Sequence, residues 1–174
     1  MSRIGICIAG LNGAVASTLV AGVCLMRRGL ATPVAMISER YRQSHQLAGL
    51  DDLIITGWDP RGETLYESAL RHRVLEPHRL HPIAKELAGL RPLGGKGSVA
   101  AAIDKFRRAH RLDTVIVLNL IPTGENAASA QYARAAHETG SPFINFTPNN
   151  CGESDRKSTR LNSSHTVISY AVFC

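Results

Sequence analysis

The hydrophobic residues of the chain fall into two kinds of run. Ile4 to Ala9 and Thr114 to Leu118 are short, continuous apolar runs, which are typical of strands buried on both faces of a parallel sheet. Between Gly13 and Arg28 the apolar residues instead recur at helical spacing, and Gly29 follows them. The pattern therefore predicts a strand followed directly by a helix at the start of the chain.

The alternation of strand and helix continues along the chain. Further short strands are predicted at Val34 to Ile37, Leu53 to Thr56 and Phe143 to Phe146. Ser98 can cap a helix with an apolar face, and Asn126 can cap another that ends at Gly140. Helical patterns also occupy the stretch from 63 to 93, with prolines inside it. This order predicts an α/β fold with a Rossmann-like, doubly wound parallel sheet.

Composition agrees with a single folded domain. The 174 residues are 44% hydrophobic and 20% charged, which suits one soluble globular unit with a sizeable core. Basic residues exceed acidic ones by 20 to 14, and without the last twenty residues by 17 to 13. The basic side chains are scattered in pairs at predicted helix ends, so we expect no nucleic-acid surface.

The cysteines and the start of the chain bear on the compartment. Cys7, Cys24, Cys151 and Cys174 form no CxxC pair and have no histidine at zinc spacing, so reduced thiols and no metal site are expected. The first residues lack the longer apolar region and cleavage site of a signal peptide, and no run reaches membrane-spanning length. A cytoplasmic protein without a membrane partner is expected.

The turn after the first strand is the main candidate for chemistry. Gly10, Gly13 and Ala16 are small residues in the spacing GxxGxxA, with Asn12 where the second glycine of GxGxxG would fall. Small residues here let main-chain N–H groups at the helix start approach a pyrophosphate, which the helix dipole favours. A plain tight turn in a sheet that binds nothing is the alternative.

Two acidic residues follow predicted strands and are candidates to bind the adenosine ribose. Asp59 lies in a stiff turn between Trp58 and Pro60, whereas Glu39 lies in a polar loop and suits a solvated role better. A carboxylate in this place favours NAD over the phosphorylated cofactor. Neither residue has a basic partner that the sequence positions to bind a 2′-phosphate, so NAD is the expected cofactor.

Polar residues also follow the later strands, where open α/β sheets bind ligands. Asn119 ends the strand at 114 to 118, and Thr123 with Gly124 can supply a hydroxyl and a backbone donor. A purely local role, in which these side chains satisfy loop backbone, explains the pattern equally well. The same two interpretations apply to Asn145, Thr147 and Asn149.

Other chemical signals are weak. Four histidines lie between 72 and 110, but His78 and His81 have no carboxylate or thiolate partner, so surface histidines are expected. Lys96 in GGKGS resembles part of a phosphate loop without the full GxxxxGK[ST] motif.

Taken in order, these stretches resemble the NAD-binding part of the myo-inositol-phosphate synthase family. The matching stretches are IAGLNGAVASTLVAG, GLDDLIITGWDP, VLNLIPTGE and SPFINFTPNN, which span residues 4 to 150. Ile121, Pro122 and Phe146 depart from the family pattern, which indicates a divergent branch. The resemblance implies that Gly10, Asn12, Gly13 and Ala14 cradle the pyrophosphate of NAD and that Asp59 lies by the ribose. Asn119, Thr123 and Thr147 complete the expected cofactor site.

The resemblance also implies an activity. Members cyclise glucose 6-phosphate to a myo-inositol phosphate by oxidation with NAD, aldol ring closure and return of the hydride, and lysines of a second domain stabilise the oxyanions. We expect a homo-oligomer that takes a sugar phosphate, of which this chain is an inactive fragment without its own catalytic residues. The alternatives are the cofactor domain of an NAD(P)-dependent dehydrogenase and a nucleotide-sensing domain.

The last twenty residues read differently from the rest. DRKSTRLNSSH, from Asp155, corresponds to a translation of a common short-read sequencing adapter, and TVISYAVFC continues it to Cys174. A natural C-terminal strand TVISYAVFC is the alternative, since its β-propensity is good. The sequence thus predicts an incomplete Rossmann-like domain over residues 1–154 and a non-native tail over 155–174.

Overall fold

The structure is a computed structural model that describes residues 3–34, 36–41, 45, 47–93 and 97–151. Its four strands are β1 (Ile4–Ala9), β2 (Leu53–Trp58), β3 (Thr114–Asn119) and β4 (Phe143–Asn145). Its helices are α1 (Ala14–Arg27), α2 (Ile37–Tyr41), α3 (Leu65–His72), α4 (Pro77–Leu80), α5 (Ala84–Gly89), α6 (Val99–His110) and α7 (Asn126–Glu138). Short 3-10 turns lie at Leu50–Asp52 and His81–Ile83.

The strands form one parallel sheet in the order β2-β1-β3-β4. Ile4 pairs with Leu53 on one side and Thr114 on the other, so all three long strands end at the same edge. The chain adds β2 beside β1 and then crosses to the other side of β1 for β3. The point where the order reverses therefore lies between β1 and β3, where open α/β sheets bind ligands.

Alternate strand residues feed two apolar clusters on opposite faces of the sheet. Ile8 packs on one face with residues of α1, α3 and α5, such as Val20 and Leu87. Cys7 packs on the other face with residues of α6 and α7, such as Phe106 and Ala135. A strand with helices on both faces must be apolar throughout, which explains the continuous runs in the sequence. The predicted α/β doubly wound sheet is confirmed.

Local signals placed several elements correctly. Gly13 lies at the N-cap of α1, and Gly29 follows the helix with φ of +68°. Ser98 caps α6 as predicted, because its hydroxyl accepts a hydrogen bond from Ala101 N–H at 3.1 Å. The prediction that Asn126 caps α7 is wrong: Glu125 precedes the helix, and the Asn126 side chain accepts from Asn150 N–H at 2.9 Å instead.

Two strand predictions also differ from the structure. The predicted strand at Val34 to Ile37 is wrong, since Ile37 begins α2 and both side chains are exposed. A strand needs a partner and a covered face, and this short run obtains neither. In contrast, β2 extends past Thr56 to Trp58. Gly57 is required within it, because a Cβ atom there would lie 2.1 Å from the carbonyl oxygen of Ile8.

No helix in the described part of the chain is long and apolar enough to cross a membrane.

The cysteines described, Cys7, Cys24 and Cys151, are free thiols. Burial raises the pKa of the Cys7 thiol to about 12, against a smaller opposing effect of Arg107. Lys96, the side chain of Glu39 and the predicted tail, with Cys174, lie outside the described residues.

Candidate functional site

The turn between β1 and α1 lies at the point where the strand order reverses. Leu120, just after β3, donates its N–H to Ala9 O at 2.9 Å, so the loops after β1 and β3 meet. Gly10 has φ of +88°, and a Cβ atom there would lie 2.9 Å from Leu120 O. Only glycine meets both conditions without strain. The turn is therefore shaped by the neighbouring loop as well as by its own sequence.

At the start of α1 lie main-chain donors for which the described residues provide no acceptor. Gly13 N–H donates to Gly10 O at 3.0 Å, and Ser17 N–H donates to Gly13 O at 2.9 Å. The N–H groups of Ala14, Val15 and Ala16 lie in the first turn, where a helix has no internal acceptor, and no side chain caps this end. Ala14 and Val15 are exposed whereas Ala16 is fully buried, so the N–H groups of Ala14 and Val15 are the donors that an anion can approach.

Asn12 is buried and holds the turn to the segment after β2. Its N–H donates to Asp59 Oδ2 at 3.0 Å, and its side-chain Nδ2 donates to Arg61 O at 3.0 Å and Glu63 O at 2.9 Å. Its carbonyl oxygen accepts from the side chains of α3, namely Ser68, Arg71 and His72. The side chain of Asn12 therefore faces the protein interior, where its Oδ1 has no hydrogen-bond partner among the described residues.

Asp59 directly follows β2 beside this turn, and it has a basic partner. Arg61 Nε and Arg61 N–H both lie 3.0 Å from Asp59 Oδ1. Burial of the carboxyl acts to raise its pKa, but the hydrogen bonds from Arg61 and from Asn12 N–H outweigh it and hold the pKa below its ordinary value. Only Pro60 separates the two residues, and the turn it makes brings Arg61 back against Asp59. From the sequence we expected no basic residue placed to bind a 2′-phosphate, and we did not anticipate this pair.

Asn119 lies on the other side of the crevice and is fully buried. Its Nδ2 lies within 3.3 Å of Ser129 Oγ, Asn145 Oδ1 and Thr147 Oγ1, so it ties the end of β3 to α7 and to the loop after β4. Thr147 Oγ1 in turn donates to Asn145 Oδ1 at 2.8 Å. The geometry favours the local role for Asn119, in which its side chain bonds to polar groups of the protein and not to a ligand.

Thr123 differs from these residues because it is exposed in the loop between β3 and α7. The next residue, Gly124, has φ of +100° and donates its N–H to Asn149 Oδ1 at 2.8 Å. Asn149 also donates to Pro122 O and Ser129 Oγ, and it is buried. Asn149 thus supports the loop from the interior, while Thr123 itself is exposed.

The structure brings the predicted residues together in two groups. Gly10, Asn12, Gly13, Ala14 and Asp59 form one, and Asn119 and Thr147 form the other, with Gly10 against Leu120 between them. The sequence reasoning missed the anchoring residues Arg61, Ser68, Arg71, His72 and Ser129. One sequence signal could have located some of them: the capping box of Thr64 and Glu67 marks the start of α3, which carries Ser68, Arg71 and His72.

No group of three metal-binding side chains occurs among the residues that the structure describes. His72 instead contacts the carbonyl of Asn12, and the ring of His110 packs edge-on against Phe106 at 5.0 Å. The cluster at the crevice is built from main-chain donors, amides and two arginine–carboxylate pairs, Arg61 with Asp59 and Arg71 with Glu63.

Comparison with known proteins places this architecture in context, although no family model matches the chain. The chain is 30% identical over 103 residues to inositol-3-phosphate synthase 1 of Bacteroides thetaiotaomicron, which is 52% of this chain and 24% of that protein. Its structure matches a crystal structure of inositol-3-phosphate synthase from Caenorhabditis elegans with a TM-score of 0.71 and 21% identity, over 86% of this chain and 45% of that one. A crystal structure of Ari2 matches with a TM-score of 0.56 and 24% identity, over 85% of this chain and 46% of that one.

The chain thus spans about a quarter of the length of the curated relative and just under half of the solved chains. The expected likeness to this family is confirmed at that level: the chain is similar in sequence to an inositol-3-phosphate synthase and shares the α/β fold of one.

Proposed function

We propose that the chain binds NAD at the turn of residues 10–16, as the cofactor-binding part of an enzyme like inositol-3-phosphate synthase. The observation that carries the proposal is the start of α1 at the strand-order reversal, where no side chain caps the helix and Ala14 and Val15 are exposed. An anion there gains these donors and the favourable end of the helix dipole. The similarity to an inositol-3-phosphate synthase supports the same assignment.

The residues at the turn fit a pyrophosphate. Gly10 and Gly13 have no side chain to separate main-chain donors from a ligand, and a Cβ atom at Gly13 would lie 3.2 Å from Gly10 O. Ala14 is exposed and its methyl group leaves its N–H accessible. In this proposal the N–H groups of Ala14 and Val15 bind the pyrophosphate, and Asn12 keeps the turn in shape from the interior.

The remaining predicted residues have separate parts in the proposal. Asp59 lies on the ribose side of the turn, and Asn119, Thr123 and Thr147 lie on the side where the nicotinamide would extend. Among these, only the Thr123 hydroxyl is exposed without a hydrogen bond to another described residue. We therefore assign the direct contact to Thr123 and supporting contacts to Asn119 and Thr147.

A bound NAD would supply hydride transfer, and the residues described here would hold and orient it. By the resemblance, the substrate of the whole enzyme is glucose 6-phosphate and the product a myo-inositol phosphate. The oxyanion-stabilising lysines of that family lie in a further domain, so we propose that the 174-residue chain binds the cofactor without turnover.

We propose also that the enzyme acts in the cytoplasm as a homo-oligomer and that residues 155–174 do not belong to the domain.

Calorimetry with NAD and the 174-residue chain tests the proposal. Saturable binding is expected, and Ala14→Glu should abolish it, because the new carboxylate occupies the pyrophosphate end of α1. Gly22→Glu is the matched control, since it adds the same charge to the same helix about 12 Å away, where the position of a Cβ atom is open. Absence of NAD binding by folded chain, or equal loss in both variants, would refute the proposal.

A further inference from the structure

The carboxylate at the end of β2 has no capacity left for a ribose hydroxyl. Asp59 accepts four hydrogen bonds, from Asn12 N–H, from Arg61 N–H and from Arg61 Nε at 3.0 Å, and from Arg61 Nη2 at 3.4 Å. An ionised carboxylate offers about four acceptor positions. Its side chain is only 2% exposed. Asp59 is thus satisfied within the protein and hidden from a ligand.

Arg61, the partner of Asp59, is exposed where Asp59 is buried. Its side chain is 45% exposed while it pairs with Asp59. Its main chain is held at both polar groups, because its N–H donates to Asp59 and its carbonyl accepts from Asn12 Nδ2. The guanidinium therefore starts from a rigid base next to the turn that would hold the pyrophosphate, and little ordering is needed before it meets a ligand.

The neighbouring ion pair repeats this arrangement of charge. Arg71 pairs with Glu63, and the exposed fractions of their side chains are 41% and 22%. In both pairs the cation faces solvent more than the anion does. Arg61 Nε also lies 4.0 Å from Glu63 Oε1, so the four formal charges cancel within one cluster, in which the two guanidinium groups are the most exposed. A dianionic group is attracted there, whereas an unpaired carboxylate would repel it.

We propose that Arg61 binds a phosphate on the 2′ position of the adenosine ribose, so that the site accepts NADP as well as NAD. This inference rests on the proposed cofactor site and adds NADP to the ligands of that site. Arginine is suited to the role because its planar fork donates two parallel hydrogen bonds to a phosphate. Arg61 can turn from Asp59 toward the phosphate, and Asn12 N–H remains on the carboxylate when it does.

The test compares NAD and NADP by calorimetry on the 174-residue chain, at low and at moderate salt. We expect dissociation constants within about tenfold of each other, with the NADP value rising more steeply with salt. Arg61→Gln should weaken NADP roughly ten- to hundredfold, since it removes hydrogen bonds to a charged group, and should leave NAD unchanged or tighter because Asp59 regains acceptor positions.

Arg79→Gln is the matched control, because it removes the same charge from exposed Arg79 in α4 and should preserve the ratio of the two affinities. NAD binding with NADP more than about a hundredfold weaker would overturn the inference and leave the proposed function intact. An unchanged ratio in Arg61→Gln would overturn it too. If neither cofactor binds, the proposed function itself fails.

Should Arg61→Gln not fold, the phosphorus resonance of the 2′-phosphate decides on the unaltered chain. A shift of that resonance on binding, reversed by salt, supports the contact with Arg61. Binding of NADP with an unshifted 2′-phosphate resonance would overturn it.

Discussion

At the scale of single residues, Asn12 shows how one side chain can serve a site without facing it. Its N–H, side-chain amide and carbonyl join the turn to three separate parts of the segment from Asp59 to His72. A buried amide with these bonds is strongly position-specific, because each lost bond leaves a buried polar group unsatisfied. The turn is therefore rigid before any ligand arrives, and the donors at the start of α1 are already in place.

Gly57 gives the sharpest steric prediction. Gly57→Ala should lower the free energy of unfolding by about 3 kcal/mol, because its Cβ atom would overlap the main chain of Ile8 in the central strand. Gly62→Ala is the control, since nothing lies within 4 Å of a Cβ atom there, and its effect should stay within about 0.5 kcal/mol. Urea unfolding of both variants measures the difference. Similar values for the two would contradict the strand contact.

Asp59 predicts a dependence of stability on pH. Its pKa is lower in the folded chain than in the unfolded one, so its contribution is complete above the unfolded pKa, about 4, and is lost as pH falls through the folded pKa. Asp59→Asn should therefore destabilise the chain by about 1 to 3 kcal/mol at pH 7 and by progressively less as the pH falls below about 4. Urea unfolding across this pH range checks the convergence.

The control for this series is Asp51→Asn, the same substitution at a side chain that is 90% exposed and lies 3.9 Å from Arg27. An exposed pair of this kind contributes little, so its curve should follow the unaltered protein within about 0.5 kcal/mol. A constant deficit of Asp59→Asn at every pH would mean that packing, and not charge, is what Asp59 supplies.

At the scale of elements, α3 is the support of the candidate site. Thr64 and Glu67 form a reciprocal cap at its start, with Glu67 N–H to Thr64 Oγ1 at 3.2 Å and Thr64 N–H to Glu67 Oε2 at 2.7 Å. The side chains of Ser68 and His72 then reach Asn12 O from successive turns. Because α3 packs against α1, a change at its start is transmitted to the turn.

Removal of this cap should separate stability from binding. Thr64→Ala and Ser98→Ala each delete an N-cap hydroxyl, and each should cost about 1 kcal/mol in urea unfolding. Only Thr64→Ala should also weaken NAD, by roughly two- to fivefold, because α6 lies on the other face of the sheet. Calorimetry on both variants measures this. Equal weakening by the two would mean that the loss is global.

At the scale of the whole molecule, the domain is a sheet enclosed between two helical layers. The apolar clusters on its two faces include Val20 and Leu65 on one side and Ile103 and Val115 on the other, all fully buried. Each such aliphatic side chain contributes about 1.5 to 3 kcal/mol by leaving water. Both clusters combine residues from distant parts of the chain, as the two faces of one sheet require.

The prediction at this scale concerns residues 155–174. If the tail is foreign to the domain, a chain that ends at Ser154 should unfold at the same temperature and with the same cooperativity as the 174-residue chain. Differential scanning calorimetry measures both. A melting temperature lower by several degrees in the shorter chain would show that TVISYAVFC packs on the domain, since 1 kcal/mol corresponds to roughly 2–4 °C at this size.

The sequence by itself determined the frame: β1, β3, α1 and α6 follow from apolar runs, helical spacing and caps, all of which act between near neighbours. It also located the turn at Gly10 to Ala16. It could not determine that Val34 to Ile37 would fail to form a strand, or that Gly57 belongs inside one. Strand formation depends on a neighbouring strand and on a face covered by other elements, and a short run of residues determines neither of them.

Only the tertiary structure decided how the candidate site is held. The bonds from Asn12 to Asp59, Arg61 and His72 join residues 47 to 60 positions apart. Their existence depends on the register of β1 with β2 and on the packing of α3 against α1. The physical reason is that side-chain hydrogen bonds need ångström-scale placement, whereas periodicity conveys only which face of an element is apolar.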